Sequence, residues 1–364
     1  MFLCVSDEEG HGGTGDDSAG VARRGRRRTR LFKAAGIALG CVLVVSVAGA
    51  AWAYWHLNHN IKSVDIDSAL GDDRPARAVT TPTPFGSGSA SPTPIPSGAL
   101  NILVLGSDTR DGERNKELGG GSSEGARSDT AMIVHLDEGR SEATVVSIPR
   151  DTLVTRPSCP LESGGSTGVR YGAMFNSAYS VGGPVCAVKT VESMTNVRMD
   201  HYIEIDFAGF ADLVDALGGV TVTTEEDISD EDSHLDLKAG THLLDGPDAL
   251  ALARTRHGIG DGSDLGRIGL QQKLVKALLE QVASTNLLTS PTRLYSVADA
   301  LTGSLTTDTG LNSLSELMGL GESLRALSSA GTETVTMPVV PAPSDRNRVV
   351  ADEPEAGELW ESLR

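Results

Sequence analysis

The stretch Leu100–Asp108, with the sequence LNILVLGSD, decides how this chain folds. Its apolar run from Leu100 to Leu105 ends at Gly106, a pattern that predicts a short buried β-strand followed by a polar turn. The runs Thr130–Leu136 and Ala143–Ile148 have the same character and predict two more strands. The chain therefore begins its ordered part with strands.

Strands and helices are expected to alternate after this point. Further strands are predicted at His201–Phe207, Val220–Val222 and Thr334–Val340. Helical spacing of apolar residues is found over Gly172–Ser180, Val185–Thr195, Phe207–Leu217, Pro247–Arg256 (with Asp245 as a cap), Leu265–Val282, 291–303 and 311–329. Such alternation indicates an α/β fold. We expect a layered αβα domain with a central mixed sheet flanked by helices.

The N-terminal region predicts a membrane anchor. Seven basic residues lie between Arg23 and Lys33, and a nearly unbroken apolar run follows from Ala34 to about Trp55. The run has about the 20 residues that a spanning helix needs, and the positive-inside rule keeps the basic cluster in the cytoplasm. The alternative is a cleaved signal peptide, with Ala48–Ala50 or Ala51–Ala53 as its cleavage triplet.

These features divide the chain into four expected regions. They are a disordered cytoplasmic tail (1–33), a transmembrane helix (34–57), an extracytoplasmic linker rich in Pro, Ser, Thr and Gly (58–98) and a large external domain (99–364). The net charge of −18 argues against broad nucleic-acid binding, which needs Lys and Arg to neutralise phosphates.

The predicted external domain contains two cysteines, Cys159 and Cys186. Outside a cell such a pair forms a disulfide more often than a metal site, and no His or Cys at ligand spacing accompanies them. A disulfide is therefore the favoured interpretation, and a metal site is the alternative.

Polar clusters stand at the ends of the predicted elements. They are Gly106–Arg110, Arg127–Thr130, Pro149–Thr152, Arg254 with Arg256, and Arg267 with Gln271 on one helical face. Carboxylates on adjacent elements can hold a divalent cation, and several guanidinium groups can bind phosphate oxygens. The combination suggests a pyrophosphate or phosphodiester site. The alternative is structural, with Asp108 and Asp129 capping turns and the arginines paired with surface acids.

Other candidates are weaker. Ser107, Ser128 and Ser147 lack the Gly-x-Ser-x-Gly elbow of a hydrolase nucleophile. His201 and His257 each stand alone in the sequence and are interpreted as structural. The acidic residues Asp227, Asp230, Glu231, Asp232 and Asp236 are expected to form a solvated loop.

Taken in order, the motifs resemble the LytR-CpsA-Psr family of cell-wall ligases. The resemblance covers residues 100–285 well, and residues 286–364 are similar to the less regular tail of actinobacterial members. It rests on these stretches: Asn101–Leu103 through Asp108 and Arg110, Arg127–Thr130, Ile148–Asp151, Phe175–Tyr179 with Gly182 and Gly183, His201–Phe207 with Gly209 and Phe210, Val214–Val220, Leu243–Gly246, Arg254–Arg256, and Arg267 with Gln271 and Gln272.

The resemblance implies a phosphotransferase. Such enzymes move a glycopolymer from a polyprenyl pyrophosphate carrier to a muramic acid hydroxyl of peptidoglycan, beside the membrane lipid. Asp108 and Asp129 would bind magnesium, or manganese. Arg127, Arg150 and Asp151 would be catalytic, with Asp151 considered as the general base. The pyrophosphate would be bound by Arg110, Arg127, Arg150, Arg254, Arg256, Arg267 and Gln271.

Two positions depart from the family pattern, because Met174 and Leu270 stand where basic residues are usual.

Two other functions remain open. One is a hydrolase that releases the head group to water in the same pocket. The other is a non-enzymatic regulator or binding protein of the cell envelope, although the cytoplasmic tail contains no helix-turn-helix.

Overall fold

The computed structural model describes residues 18–77, 98–107, 128–161, 163–256, 264–284, 290–324, 327 and 331–364. Within these ranges no side chain is described for residues 18–38, 129, 264 and 283. The chain divides into two compact units, Met1–His56 and Leu57–Arg364, and we describe each by itself.

The N-terminal region is a single long helix, α1 (Ser18–Asn60). Its part Leu39–Asn60 contains 22 residues with a mean hydropathy of 1.5 over the most apolar window, and none of that window is buried within the protein. A bilayer-spanning helix needs about 20 predominantly apolar residues. The helix therefore has the length and composition of the single N-terminal transmembrane helix that the sequence predicts.

The second unit is built of alternating strands and helices. The described strands are β1 (Lys62–Val64), β2 (Leu100–Ser107), β3 (Ser128–Leu136), β4 (Ala143–Ser147), β5 (Leu153–Arg156), β6 (Arg170–Met174), β7 (His201–Asp206), β8 (Val220–Thr224), β9 (Ile228–Asp230), β10 (Leu235–Leu237), β11 (Gly240–Leu244), β12 (Leu305–Asp308), β13 (Thr332–Thr336), β14 (Val339–Ala342) and β15 (Asp345–Ala351). The described helices after α1 are α2 (Ile66–Leu70), α3 (Asn176–Thr195), α4 (Phe207–Ala216), α5 (Gly246–Arg254), α6 (Asp264–Ser284), α7 (Pro291–Ser304), α8 (Leu314–Ser323) and α9 (Glu355–Ser362).

Seven of the described strands form the central sheet, in the order β1-β12-β7-β2-β3-β4-β13. The sheet is mixed, because β2 pairs in parallel with β7 and antiparallel with β3. Strands β2, β4, β7 and β13 run in the same direction. Their carboxyl ends therefore lie at one edge of the sheet, where ligands bind in open α/β folds.

Strand β2 shows why the fold is layered, because its successive side chains point to opposite faces of the sheet. Leu103 and Leu105 pack in one apolar cluster with Phe175 of the α3 region. Leu100 and Ile102 pack in a second cluster that includes residues of α8. The buried strand thus forms the middle layer of an αβα domain, as predicted.

A third apolar cluster lies outside these layers and forms the support of the arginine-bearing helices. Val220 and Val222 of β8 pack with Leu252 of α5 and with Leu270 and Leu274 of α6. This cluster fixes α5 and α6 against each other beside the sheet.

The region predicted as a linker, 58–98, begins with folded structure. Strand β1 pairs in parallel with β12 in the central sheet, and Ile66 and Leu70 of α2 are buried in the main core. Arg74 forms a buried ion pair with Glu192 of α3, with 2.6 Å between Nη2 and Oε1. The prediction was wrong for this part because its few apolar residues gain their partners only through tertiary contacts.

The helix predicted over Gly172–Ser180 is also corrected. Residues Arg170–Met174 form strand β6, which pairs with β5, and α3 begins only at Asn176. Gly172 has a φ of +61°, in the left-handed region that a right-handed helix excludes. Helix α3 is kinked at Gly182 and Gly183, where the sequence predicts a break between two helices.

The C-terminal part differs from its prediction in two places. The helix expected over 311–329 begins at Leu314, where Ser313 and Glu316 form a capping box. The strand expected over Thr334–Val340 is divided, since β13 ends at Thr336 and β14 pairs with β15 in a separate two-stranded sheet. Pro338 lies at the break, and it has no N–H to donate to a sheet.

Substitution of Glu192 by Gln tests the attachment of the N-terminal segment. Arg74 would keep its contact with the exposed carboxylate of Asp67 but lose the buried carboxylate of Glu192, and breaking a buried pair typically costs about 3–5 kcal/mol. We expect the free energy of unfolding to fall by about 3 kcal/mol in urea titrations followed by circular dichroism. The control Glu333→Gln removes an exposed carboxylate of β13 and should change it by less than about 0.5 kcal/mol. Equal effects in both variants would contradict a buried ion pair.

Candidate functional site

The site lies at the edge of the sheet where β2, β4, β7 and β13 end. Ser107 at the end of β2 is the register partner of Ser128 in β3 and of Asp206 in β7. Ser147 at the end of β4 pairs with Thr336 of β13. The first polar cluster begins with Gly106 and Ser107, the last two residues of β2, and the third begins at Pro149, two residues after the end of β4, so both clusters start at this edge.

A cavity of about 260 Å³ beside this edge brings together four residues predicted to bind phosphate. They are Arg254, Arg256, Arg267 and Gln271. Thr130, Phe207 and Asp230 contribute to the rest of its wall. One space is therefore lined by three arginines, from α6, from the end of α5 and from just beyond that end, in a chain with a net charge of −18.

Helix α5 positions the first two arginines. It begins at a cap in which Asp245 accepts a hydrogen bond from the Asp248 N–H, and it ends at Arg254. The guanidinium carbon of Arg254 lies 5.0 Å from the ring centre of Phe207, a cation–π contact. Thr255 leaves the helix with extended backbone angles, so Arg256 lies beyond the helical end.

Helix α6 contributes Arg267 and Gln271 from one face, as their four-residue spacing predicts. Only 3% of Arg267 is exposed. The Gln271 Nε2 donates hydrogen bonds to Thr130 Oγ1 at 2.9 Å and to the Ala253 carbonyl at 3.0 Å. The amide thus connects α6 both to strand β3 and to the end of α5.

The adjacent Gln272 attaches α6 to two further strands of the central sheet. Its Nε2 donates to Ser147 Oγ and to Thr336 Oγ1, each at 3.2 Å. These hydroxyls belong to β4 and β13. Two consecutive glutamines therefore hold the arginine-bearing helix over three strands of the sheet.

Asp230 is a residue of the site that sequence reasoning missed. It was assigned to a solvated acidic loop, but it is 2% exposed and lies in the cavity wall. Ile228 and Leu235 are buried core residues of the paired strands β9 and β10. Asp230 points inward because it alternates with the exposed Ser229. The period-two pattern of β9 was the signal that could have revealed it.

Arg150 and Asp151 follow β4 but do not line this cavity. The Asp151 Oδ1 lies 2.9 Å from Nη1 of Arg348, and its Oδ2 lies 3.9 Å from Nε of Arg150. Arg348 belongs to β15, whose Val349 forms a bridge with Thr152. The C-terminal hairpin therefore provides Asp151 with a cationic partner that no sequence motif indicated.

Some of the predicted residues lie outside the described part of the chain. These are Asp108, Arg110, Arg127 and the lone histidine His257, together with the side chain of Asp129. The structure does describe strand β2, which directly precedes Asp108 in the sequence, and strand β3, which contains Asp129. Ser107 and Ser128, which immediately precede Asp108 and Asp129, are paired across β2 and β3.

Two further contacts attach α3 to the rest of the domain. Cys159 and Cys186 are joined in a disulfide, the pairing that the sequence favoured, and both are fully buried. The buried carboxylate of Glu204 accepts hydrogen bonds from the hydroxyls of Tyr179 and Tyr202. Burial raises the pKa of Tyr202 well above its ordinary value of 10, so its hydroxyl keeps its proton as a donor.

Comparison with known proteins identifies the family. The sequence profile of the LytR_cpsA_psr family matches residues 53–364. This chain belongs to the LytR-CpsA-Psr family.

Relatives extend the comparison. The probable cell wall biosynthesis protein LcpB of Corynebacterium glutamicum is 35% identical over 271 residues, which are 72% of this chain and 61% of the relative. The polyisoprenyl-teichoic acid–peptidoglycan teichoic acid transferase TagU of Oceanobacillus iheyensis is 33% identical over 220 residues, 60% of this chain and 62% of the relative. The chain thus spans less than two thirds of the length of both.

A solved structure shares the fold. The LytR-Csp2A-Psr enzyme from Actinomyces oris is 25% identical, and the match has a TM-score of 0.56 and covers 80% of this chain and 96% of that chain. The mixed sheet with flanking helices is therefore the fold of the LytR-CpsA-Psr family.

The two departures from the LytR-CpsA-Psr pattern have structural positions. Leu270 is buried in the apolar cluster that supports α5 and α6, where an unpaired cation would be costly. Met174 ends β6 opposite Leu153 of β5. The site of this chain therefore depends on Arg254, Arg256 and Arg267 for the positive charge of its described cavity.

Substitution of Arg267 by Met tests whether the cavity binds phosphate. Hydrogen bonds to charged groups contribute about 1.5–3 kcal/mol, so affinity for inorganic pyrophosphate should fall roughly 10- to 150-fold. Titration calorimetry of the full chain in detergent measures this change. The control Arg293→Met removes an exposed arginine of α7 that does not line the cavity, and it should bind as the unaltered chain does. Unchanged affinity in Arg267→Met would show that pyrophosphate binds elsewhere.

Proposed function

We propose that this chain is a membrane-anchored phosphotransferase that moves a glycopolymer from a polyprenyl pyrophosphate carrier to a muramic acid hydroxyl of peptidoglycan. The observation that carries the proposal is the cavity in which Arg254, Arg256 and Arg267 converge at the carboxyl edge of the sheet. Family membership supports a role at the cell wall, as does similarity to a relative named as a teichoic acid–peptidoglycan transferase.

The cavity suits the pyrophosphate of the carrier. Guanidinium groups bind phosphate oxygens through paired hydrogen bonds, and their attraction for anions is stronger where water is excluded. Arg267 is almost fully buried, whereas Arg254 and Arg256 are half-buried at the end of α5. Arg267 would therefore hold the inner part of the pyrophosphate, with Arg254 and Arg256 nearer the entrance. Arg110, Arg127 and Arg150 are proposed to complete the cationic surroundings.

The proposed reaction exchanges one phosphorus–oxygen bond for another. The muramic acid hydroxyl oxygen forms a bond to the phosphorus that carries the sugar, and the bond between this phosphorus and the bridging oxygen breaks. Polyprenyl phosphate leaves with the electron pair, and the sugar becomes linked to peptidoglycan through a phosphodiester. Negative charge develops on the leaving phosphate, where Arg254, Arg256 and Arg267 would stabilise it.

The hydroxyl proton needs an acceptor, and Asp151 is our candidate. Its carboxylate forms an ion pair with Arg348 at 2.9 Å, which orients it beyond the end of β4. Arg150, with its Nε 3.9 Å from the same carboxylate, links Asp151 to the proposed phosphate-binding residues. The leaving phosphate of the carrier is the alternative acceptor.

We propose Asp108 and Asp129 as the residues that hold magnesium or manganese. Carboxylate oxygens are the hard donors that these ions prefer. The pairing of Ser107 with Ser128 places the chain positions just before them side by side at the sheet edge. When bound, the ion would neutralise charge on the phosphate oxygens.

The proposed topology follows from the N-terminal helix. Arg23–Lys33 precedes the candidate span Leu39–Asn60, so the positive-inside rule puts the N-terminus in the cytoplasm. The catalytic unit would then lie outside the cell membrane, where its lipid-linked donor and peptidoglycan meet. The disulfide between Cys159 and Cys186 is consistent with an oxidising exterior.

A transfer assay tests the proposed function. The full chain in detergent, with magnesium, is given a short radiolabelled glycan on polyprenyl pyrophosphate and soluble peptidoglycan fragments. We expect label in the peptidoglycan product. In Arg256→Met the rate should fall at least about 100-fold, because a group that stabilises the transition state has been removed. Arg293→Met is the matched control and should retain the rate.

The products distinguish the alternatives. Release of phosphorylated glycan to water, with no label in peptidoglycan, would contradict the transferase and identify a hydrolase. Binding of the lipid-linked donor with neither product, across several donors and acceptors, would point to a non-enzymatic binding role.

A further inference from the structure

A buried carboxylate stands among the arginines of the cavity. Asp230 uses both of its oxygens, since Oδ2 accepts from the Arg256 N–H at 2.7 Å and Oδ1 accepts from the Asp232 N–H at 3.0 Å. Oδ1 also lies 3.4 Å from the Ser233 nitrogen, which donates to it. The carboxylate thus connects the β9–β10 turn to the backbone of one of the phosphate-binding arginines.

A second contact joins the same two segments. Ser233 Oγ and Thr255 Oγ1 lie 2.9 Å apart and share a hydrogen bond. Thr255 is fully buried, and its hydroxyl also donates to the Ala251 carbonyl of α5 at 2.8 Å. The β9–β10 turn therefore holds both Thr255 and Arg256, the two residues that follow the end of α5.

The contacts from Asp230 and Ser233 support Thr255 and Arg256 at a point where the chain has just left helix α5. Helix α5 ends at Arg254, and its last backbone hydrogen bond runs from the Thr255 N–H to the Leu252 carbonyl at 3.3 Å. The Arg256 N–H lies beyond this helical ladder and donates to Asp230 instead. Arginine side chains have many rotamers, and an anion site gains affinity when its donors are oriented before the ligand arrives. A fixed backbone at Arg256 limits the directions in which its guanidinium can point.

We infer that Asp230 is a positioning residue that holds the Arg254–Arg256 segment in the geometry required to bind phosphate. The inference rests on the proposed function, because it gives the cavity a phosphate ligand. Asp230 acts through the backbone of Arg256 and is not assigned a contact with substrate.

The direction in which pyrophosphate affinity changes on substitution of Asp230 distinguishes a positioning role from a purely electrostatic one. A carboxylate in the cavity wall repels a bound pyrophosphate, so removal of its charge alone would strengthen binding. Loss of the support for Arg256 would weaken binding. Asp230→Asn removes the charge and cannot supply two acceptor oxygens, so the two roles predict opposite changes.

The test compares inorganic pyrophosphate affinity in the full chain and its variants by calorimetry. We expect affinity to fall about tenfold in Asp230→Asn and further in Asp230→Ala, since a hydrogen bond to a charged group is lost. Asp227→Asn is the control, because Asp227 precedes the same strand, is exposed and pairs with Lys238. It should leave affinity unchanged. Equal or tighter binding in Asp230→Asn would overturn the inference.

Hydrogen exchange provides a readout that needs no ligand. Mass spectrometry of peptides covering Arg256 should show faster amide exchange in Asp230→Ala, while peptides from β2 and β3 keep their protection. Slow exchange at Arg256 in this variant would also overturn the inference. If the unaltered chain fails to bind pyrophosphate while exchange at Arg256 increases as expected, the positioning contact stands and the proposed function fails.

Discussion

The site depends on holding buried positive charge at the edge of a sheet. Removing a guanidinium from water costs several kcal/mol unless polar or charged groups replace the lost hydration. Arg267 is almost fully buried, and Asp230 lies in the wall of the same cavity. A carboxylate offsets part of this cost in the absence of ligand. A pyrophosphate between the three arginines would offset more of it, so the buried positive charge favours an anionic ligand.

The surrounding fold fixes the positions of the helices that carry these charges. Gln271 and Gln272 attach α6 to β3, β4 and β13, and Gln271 also reaches the end of α5. The apolar cluster that contains Leu252, Leu270 and Leu274 packs α5 and α6 against each other. Apolar packing therefore sets the spacing of the helices, while amide hydrogen bonds set their position relative to the strand ends.

Local patterns predicted the parts of this arrangement that depend on neighbouring residues. The apolar run of β2, the Asp245 cap of α5 and the spacing of Arg267 from Gln271 are all properties of short segments. Long-range partners decided the rest. Strand β1 needs β12, the buried Arg74 needs Glu192, and Asp151 meets Arg348 from a hairpin far along the chain. Asp230 was missed for a related reason, since an acidic-rich segment looks solvated until Ile228 and Leu235 are known to be buried.

The most direct test of this account is a crystal structure of the chain with a polyprenyl pyrophosphate analogue that has a short lipid tail. We predict that the pyrophosphate lies in the cavity between Arg254, Arg256 and Arg267, with Asp230 still accepting the hydrogen bond from the Arg256 backbone. A pyrophosphate bound away from these arginines, with the cavity empty, would contradict the central claim.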